Sequence, residues 1–222
     1  MKITTLTIML LISSLSGYAQ IDKDQLALDI NKADAANTEK LKEFIWKRKS
    51  VVSISGEVKL TVLSEFSFDE SGKLVSKVID EQSTVKKKPG IRGNMQKNAA
   101  EDKAEYVQKA LELSLSYTYM SKGELIDFFS KATLTEKNGI IEATSENVKV
   151  KGDKLIIRIE SDTKLYLDKT FSSFLGKDPI NGEIKYEKFS SGINHGSVTK
   201  LNMPSQNMKI DAQNIDYSKR VK

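Results

Sequence analysis

Between Glu57 and Asp69 the even positions carry Val58, Leu60, Val62, Ser64, Phe66 and Phe68, while Glu57, Lys59, Thr61, Glu65 and Ser67 take most of the odd ones. A period of two places successive side chains on opposite faces, so the segment predicts a half-buried antiparallel strand. Trp46 to Ile54 before it and Lys73 to Ile79 after it, across the turn Asp69-Glu70-Ser71-Gly72, complete a three-strand meander. Ahead of the meander, Leu41, Phe44 and Ile45 form the apolar face of a short helix capped by Asn37 or Thr38, and 20–37 is polar and poorly periodic, a loose leading segment.

The period then changes. From Asn98 to Tyr119 the residues Ala100, Ala104, Val107, Ala110, Leu111, Ser114 and Tyr117 fall on one face of a helix. Ser121-Lys122-Gly123-Glu124 matches a capping box, and Leu125, Ile126, Phe128, Phe129 and Ala132 supply the stripe of a second helix. After Thr133 strands resume, with turns expected at Asn138-Gly139, Gly152-Asp153, Asp162-Thr163, Asp178 to Gly182, Gly192 to Asn194 and Pro204 to Asn207. Leu155, Ile157, Ile159, Leu165, Leu167 and Phe171 share one parity, and Ile184 with Tyr186 and Met208 with Ile210 continue the alternation. With about ten strands and no βαβ rhythm, the expected class is α+β: a curved, mostly antiparallel sheet, an incomplete barrel, with an N-terminal helix and an inserted helical hairpin covering its concave face.

Residues 1–19 fit a cleavable secretory signal: a Lys2 start, an apolar run from Ile3 to Leu15 and a small-x-small site at Gly17-Tyr18-Ala19. That run is shorter than the ~20 residues that span a bilayer, and no later stretch approaches that length. No Cys follows for an acyl anchor, so the expected product is one β-rich domain over 20–222, periplasmic or secreted.

The chain has no Cys and one His, which removes thiol nucleophiles, disulfides, thiolate metal sites and histidine metal clusters; no metal or cofactor is expected. Motifs for nucleotide binding, zinc proteolysis and serine hydrolysis are missing, and Ser-x-x-Lys at Ser83, Ser161 and Ser197 occurs at the frequency chance predicts. His195 falls between two strands as a neutral hairpin residue, and Asp69 and Glu70 read as solvated turn carboxylates. The expectation is a protein that is not an enzyme.

The net charge is +5, but only Arg48, Arg92, Arg158 and Arg220 are arginines among 35 basic residues, which argues against nucleic acid. The one dense basic stretch is Lys86, Lys87, Lys88 and Arg92; it is either a solvated loop or a contact for anionic lipid headgroups or an acidic partner. Trp46, Leu60, Val62, Phe66 and Phe68, with Phe128 and Phe129 of the second helix, are either core or the lining of an apolar cavity between sheet and helices.

Leu41-Lys42, Phe44, Trp46, Gly56-Glu57-Val58-Lys59, Asp69 with Gly72-Lys73, Lys86-Lys87-Lys88 with Arg92-Gly93, Lys103 with Tyr106, Asp178-Pro179 and Asn214 to Tyr217 resemble a family of exported bacterial proteins of unassigned function. The order of elements resembles the lipoprotein-carrier and receptor (LolA/LolB-like) fold, an incomplete barrel with a helical lid. That resemblance implies an apolar ligand, a lipid or lipoprotein acyl chain, while peripheral contact with an anionic membrane surface is the expectation that the basic stretch at Lys86 to Arg92 carries. An envelope protein-interaction or structural domain with a filled core stays open beside it, as does, more weakly, a carboxylate-based hydrolase of envelope glycans.

Overall fold

The structure, a computed structural model, describes residues 21–84, 91–189 and 192–220, with backbone alone over 91–101. Three helices, α1 (Lys23–Leu41), α2 (Ile91–Thr118) and α3 (Lys122–Lys131), accompany ten strands: β1 (Phe44–Ile54), β2 (Glu57–Phe68), β3 (Leu74–Ser83), β4 (Thr133–Lys137), β5 (Ile140–Glu146), β6 (Lys154–Glu160), β7 (Tyr166–Leu175), β8 (Asp178–Lys188), β9 (Asn194–Met203) and β10 (Met208–Lys219). The strands form one unclosed antiparallel sheet in the order β3-β2-β1-β10-β9-β8-β7-β6-β5-β4. Every neighbour is a hairpin partner except β1 and β10, whose pairing brings the two ends of the sheet sequence together. The helices pack on one face of the sheet, with α2 and α3 inserted between β3 and β4, which is the α+β arrangement expected.

α1 is longer than its pattern promised. Its N-terminus is capped by Asp22, whose Oδ1 accepts from the backbone N–H groups of Asp24 and Gln25 at 3.0 Å each, so the chain is helical where the sequence reading placed a loose segment. Only Leu26, Ala27, Ile30 and Leu41 are buried on it, and that sparse stripe left the helix without a strong periodic signal. Phe44 and Ile45 do not belong to a helix: they open β1, with Phe44 turned toward the helix-covered face. α3 follows the sequence closely, since Ser121 Oγ accepts from Glu124 N and Glu124 Oε2 from Ser121 N, closing the capping box.

Among the described residues register shifts interrupt five of the strand pairings, and two of them move residues off the rows expected from their parity. Val52 pairs with Leu60 but Ser53 with Val58, so Val58 leaves the inner row of β2. In β7, Arg158 faces Asp168 and Ile159 faces Tyr166, which leaves Leu167 as the extra residue. Tyr166, Lys169 and Phe171 therefore share the inner face with Leu155, Ile157 and Ile159, and Leu165 and Leu167, read from the sequence as inner, stay half-buried. The segment Asp178 to Gly182 is not a turn but the start of β8; the turn lies just before it, at Gly176 with φ of +67°. Gly182 sits opposite Phe171, whose ring occupies the space a Cβ would need.

The inner face divides into two apolar clusters. The larger lies under the helices and joins Ile30, Tyr117, Leu125, Phe128 and Phe129 to the inner residues of β5 to β10. The smaller, Leu41, Phe44, Trp46, Phe68 and Ile193 with Phe66, Leu74, Phe189 and Tyr217, lies where β1, β2 and β10 meet the end of α1. Among the described residues no helix is long and apolar enough to cross a membrane.

Candidate functional site

The inner face of β1 and β2 forms a half-open trough. Across it run matched rows: Val52 opposite Leu60, Ser50 opposite Val62, Arg48 opposite Ser64 and Trp46 opposite Phe66. Leu60, Val62, Ser64 and Phe66 are only half-buried, whereas the inner residues of β6 and β8 under α2 and α3 are sealed. β3, which closes the sheet at this end, is exposed along nearly its whole length. Phe68, at the end of this row, stands in the wall of a cleft of about 560 Å³ between α1 and the β2–β3 turn. Leu28 and Ala35 of α1, Phe68, Leu74, Tyr119 and Met120 give it apolar surface, and Asn31, Lys32, Asp34, Thr38, Glu39 and Lys122 give it a polar rim. Its volume falls in the ~300–1,000 Å³ range of small-molecule sites.

The turn beneath the cleft is held by Asp69, whose Oδ1 accepts from the N–H groups of Ser71 and Lys73 at 2.9 Å. Those bonds hold its carboxyl below the ordinary carboxylate range, the Ser71 hydroxyl contributing most, and fit a solvated turn.

Three ionisable side chains stand on the inner face or against it. Lys169 of β7 is fully buried, donates from Nζ to the carbonyls of Tyr117 (3.2 Å) and Thr118 (2.9 Å), and lies 4.0 Å above the Tyr166 ring. Burial pushes its ammonium down to about 8, against the opposing pull of Asp34. Asp34 of α1 is in turn raised by burial, with Lys169 pulling it back. Arg48 of β1 is half-buried; burial lowers its guanidinium, and the hydroxyls of Tyr119 and Tyr217 act the other way.

His195 is buried in the smaller cluster, its Nδ1 facing the Tyr217 hydroxyl and its ring against Phe189 and Tyr217 at 5.0 and 4.4 Å. Burial drives it down to about 4, so the imidazole is neutral. Among the described residues no serine hydroxyl or carboxylate hydrogen-bonds to it, and no group of three or more His, Asp or Glu side chains is placed to hold a metal ion.

The residues singled out from the sequence fall in three places. Trp46, Phe66 and Phe68 come together in the smaller cluster, with Trp46 stacked on Phe66 at 6.1 Å and on Tyr217 at 6.0 Å. Leu60 and Val62 continue the same inner row of β2. Phe128 and Phe129, 1% and 0% exposed, fill the larger core and line neither trough nor cleft. Lys86, Lys87 and Lys88 lie outside the described residues, as does the side chain of Arg92, whose backbone begins α2.

The sequence reading passed over Arg48, Lys169, Asp34 and Tyr119. A signal existed for two of them: Arg48 shares parity with Trp46 and Val52, and Lys169 shares it with Phe171, so each is a charge on an apolar row. Asp34 and Tyr119 had none, because the sequence pattern starts the N-terminal helix at Asn37 or Thr38, after Asp34, and Tyr119 lies just past the end of α2.

Fold and site define an α+β class: an open ten-stranded antiparallel sheet whose helices leave part of one face accessible. Among solved structures the chain is similar to a DUF1329 family protein from Desulfovibrio piger, at 12% identity and a TM-score of 0.42 over 90% of this chain and 92% of that one. It is similar also to an outer membrane lipoprotein-sorting protein domain from Vibrio parahaemolyticus (10%, 0.43, covering 87% and 92%) and to a LolA superfamily protein from Nitrosomonas europaea (10%, 0.31, covering 84% and 93%). The lipoprotein-carrier architecture expected from the order of elements thus recurs in the names of two neighbours, but likeness at these scores carries no argument about function. No family model and no curated protein matches the sequence.

Proposed function

We propose that this chain is an exported binding protein, not an enzyme, that holds an apolar ligand, a lipid or acyl chain, on the inner face of β1 and β2 beneath α1. The observation that carries the reading is the half-buried row Leu60, Val62 and Phe66 on the strand whose next inner residue, Phe68, forms part of the wall of the cleft of about 560 Å³. A monomer leaves such inner-face apolar residues half-covered at a cost, which a ligand chain would offset at ~0.8 kcal/mol per buried methylene. Residues 1–19 act as the cleaved signal in this reading, and 20–222 as the single domain, periplasmic or released. Lys86, Lys87, Lys88 and Arg92 are the proposed contacts for headgroups or an anionic membrane surface.

The test is native mass spectrometry with solvent extraction of the chain from Gln20 onward, purified from a periplasmic host. A stoichiometric lipid adduct that disappears in Phe66→Asp is the expected result; retention unchanged in Phe66→Asp removes the trough from the proposal.

A second reading, an envelope protein-interaction domain, is favoured by one feature: the edge strand β3 exposes Val75, Val78 and Ile79 at 39%, 56% and 48%. A clean apo mass together with a partner lost on Val78→Lys would support this reading over the first.

A further inference from the structure

We infer that Arg48 anchors an anionic group, a carboxylate or phosphate, carried by the ligand in the trough. The inference rests on the binding reading above and names the chemical class of what is bound. Arg48 stands in the middle of the inner face, paired in register with Ser64 on β2 and Asn214 on β10. Among the described residues its hydrogen bond is a long one, Nη1 to Asn214 Oδ1 at 3.4 Å. The contrast with the other arginines whose side chains are described is sharp. Arg158 forks onto Asp168, with Nε at 2.8 and 3.0 Å from its two oxygens, and Arg220 donates to the Phe68 carbonyl at 2.7 Å.

The ionisable groups acting on Arg48 are the hydroxyls of Tyr119 and Tyr217, and no carboxylate of the described residues forms an ion pair with it. A half-buried guanidinium whose five N–H donors find, among the described residues, one distant acceptor in Asn214 is costly unless something completes it. Its surroundings are built to present it. Asn214 is itself held by Nδ2 donating to the Gly196 carbonyl at 2.6 Å, which turns its oxygen toward Arg48. Ser64 adds a hydroxyl from the opposite strand, so the row Ser64, Arg48, Asn214 is a donor-rich band set between Trp46 and Phe66 on one side and Val52, Leu60 and Val62 on the other. A planar fork beside a hydroxyl, flanked by apolar rows, fits the charged end of an amphiphile whose tail lies on β2.

The test titrates the purified mature protein with oleate, oleyl alcohol and 1-oleoyl lysophosphatidate, in wild type, Arg48→Gln and Arg48→Lys. Wild type is expected to bind oleate or the lysophosphatidate more tightly than the alcohol, and whichever is tighter assigns carboxylate or phosphate. Arg48→Gln should weaken the anionic probes about 10- to 100-fold and leave the alcohol within about 2-fold; Arg48→Lys should retain part of the preference. Equal weakening for all three probes, or none for any, overturns the anchor while the apolar site stands. Failure of every probe to bind wild type overturns the binding reading and the anchor with it. If both variants lose their circular dichroism signal, the wild-type ratio of anion to alcohol decides, and a ratio of one overturns the anchor.

Discussion

Lys169 Nζ donates to the carbonyl oxygen of Thr118, the last residue of α2, at 2.9 Å, so a strand side chain caps a helix from inside the core. The final carbonyls of a helix have no partner within it and carry its negative end. Tyr186 reinforces the same carbonyl from the neighbouring strand, its hydroxyl donating at 3.2 Å. One buried cation thus fixes where the inserted helices sit on the sheet.

That cation has a signature in pH. Its folded value of about 8 lies below the ordinary 10.5, so between the two the unfolded chain holds a proton that the folded chain has released. Unfolding free energy must then rise with pH in that window, on the order of 1 kcal/mol between pH 8 and 9.5. Urea midpoints of wild type should climb over this range, and those of Lys169→Met should not. Parallel profiles would show that Lys169 is not buried as an ammonium.

His195 runs the same logic at lower pH. Its folded value of about 4 lies below the ordinary 6.5, so the stability it contributes is full above 6.5 and is lost as pH falls through that window toward 4. It is the chain's single histidine, so one imidazole resonance in untagged protein reports it directly. The titration midpoint is expected near 4; a midpoint at 6.5 would place the ring in solvent.

Gly182 is required by its neighbour across the sheet. The Phe171 ring lies over it and stacks on Tyr117 at a centroid distance of 4.2 Å, so a methyl group at 182 must push an aromatic pair out of the core. Gly182→Ala should cost about 1–3 kcal/mol. Part of that loss should return in Gly182→Ala combined with Phe171→Leu, and thermal unfolding of the two proteins measures both.

Removing the hydroxyl of Ser121 leaves the Glu124 N–H at the start of α3 without its acceptor. Ser121→Ala should lower stability by about 1 kcal/mol in chemical unfolding. Thr in its place should keep most of it, whereas an equal loss in both would assign the effect to packing.

Much of this architecture was legible in one dimension. The alternation from Leu60 to Phe68, the capping box at Ser121 and Glu124 and the succession of glycine-containing turns are local patterns, and local sterics and hydrogen bonding enforce them wherever the chain runs. The sequence by itself therefore determined the class, ten antiparallel strands interrupted by a helical pair, and the inward side of β2.

The tertiary structure decided what the inner face contains. The bulge at Leu167 exchanges Leu165 for Tyr166 on the inner row, beside Lys169, and only pairing with β6 reveals it, because a slip of one residue sends every later side chain to the other face. The Asp22 cap turned a polar stretch into α1, and α1 made the cleft. Phe128 and Phe129 match the trough aromatics in type but seal the core, since α3 lies over the inner face near β5, away from β1 and β2. Arg48 and Asn214 are separated by 165 residues of chain and share one row through the pairing of β1 with β10. Periodicity is a property of neighbours in sequence, whereas a site is a property of neighbours in space, and which strands meet follows from the burial of the whole chain.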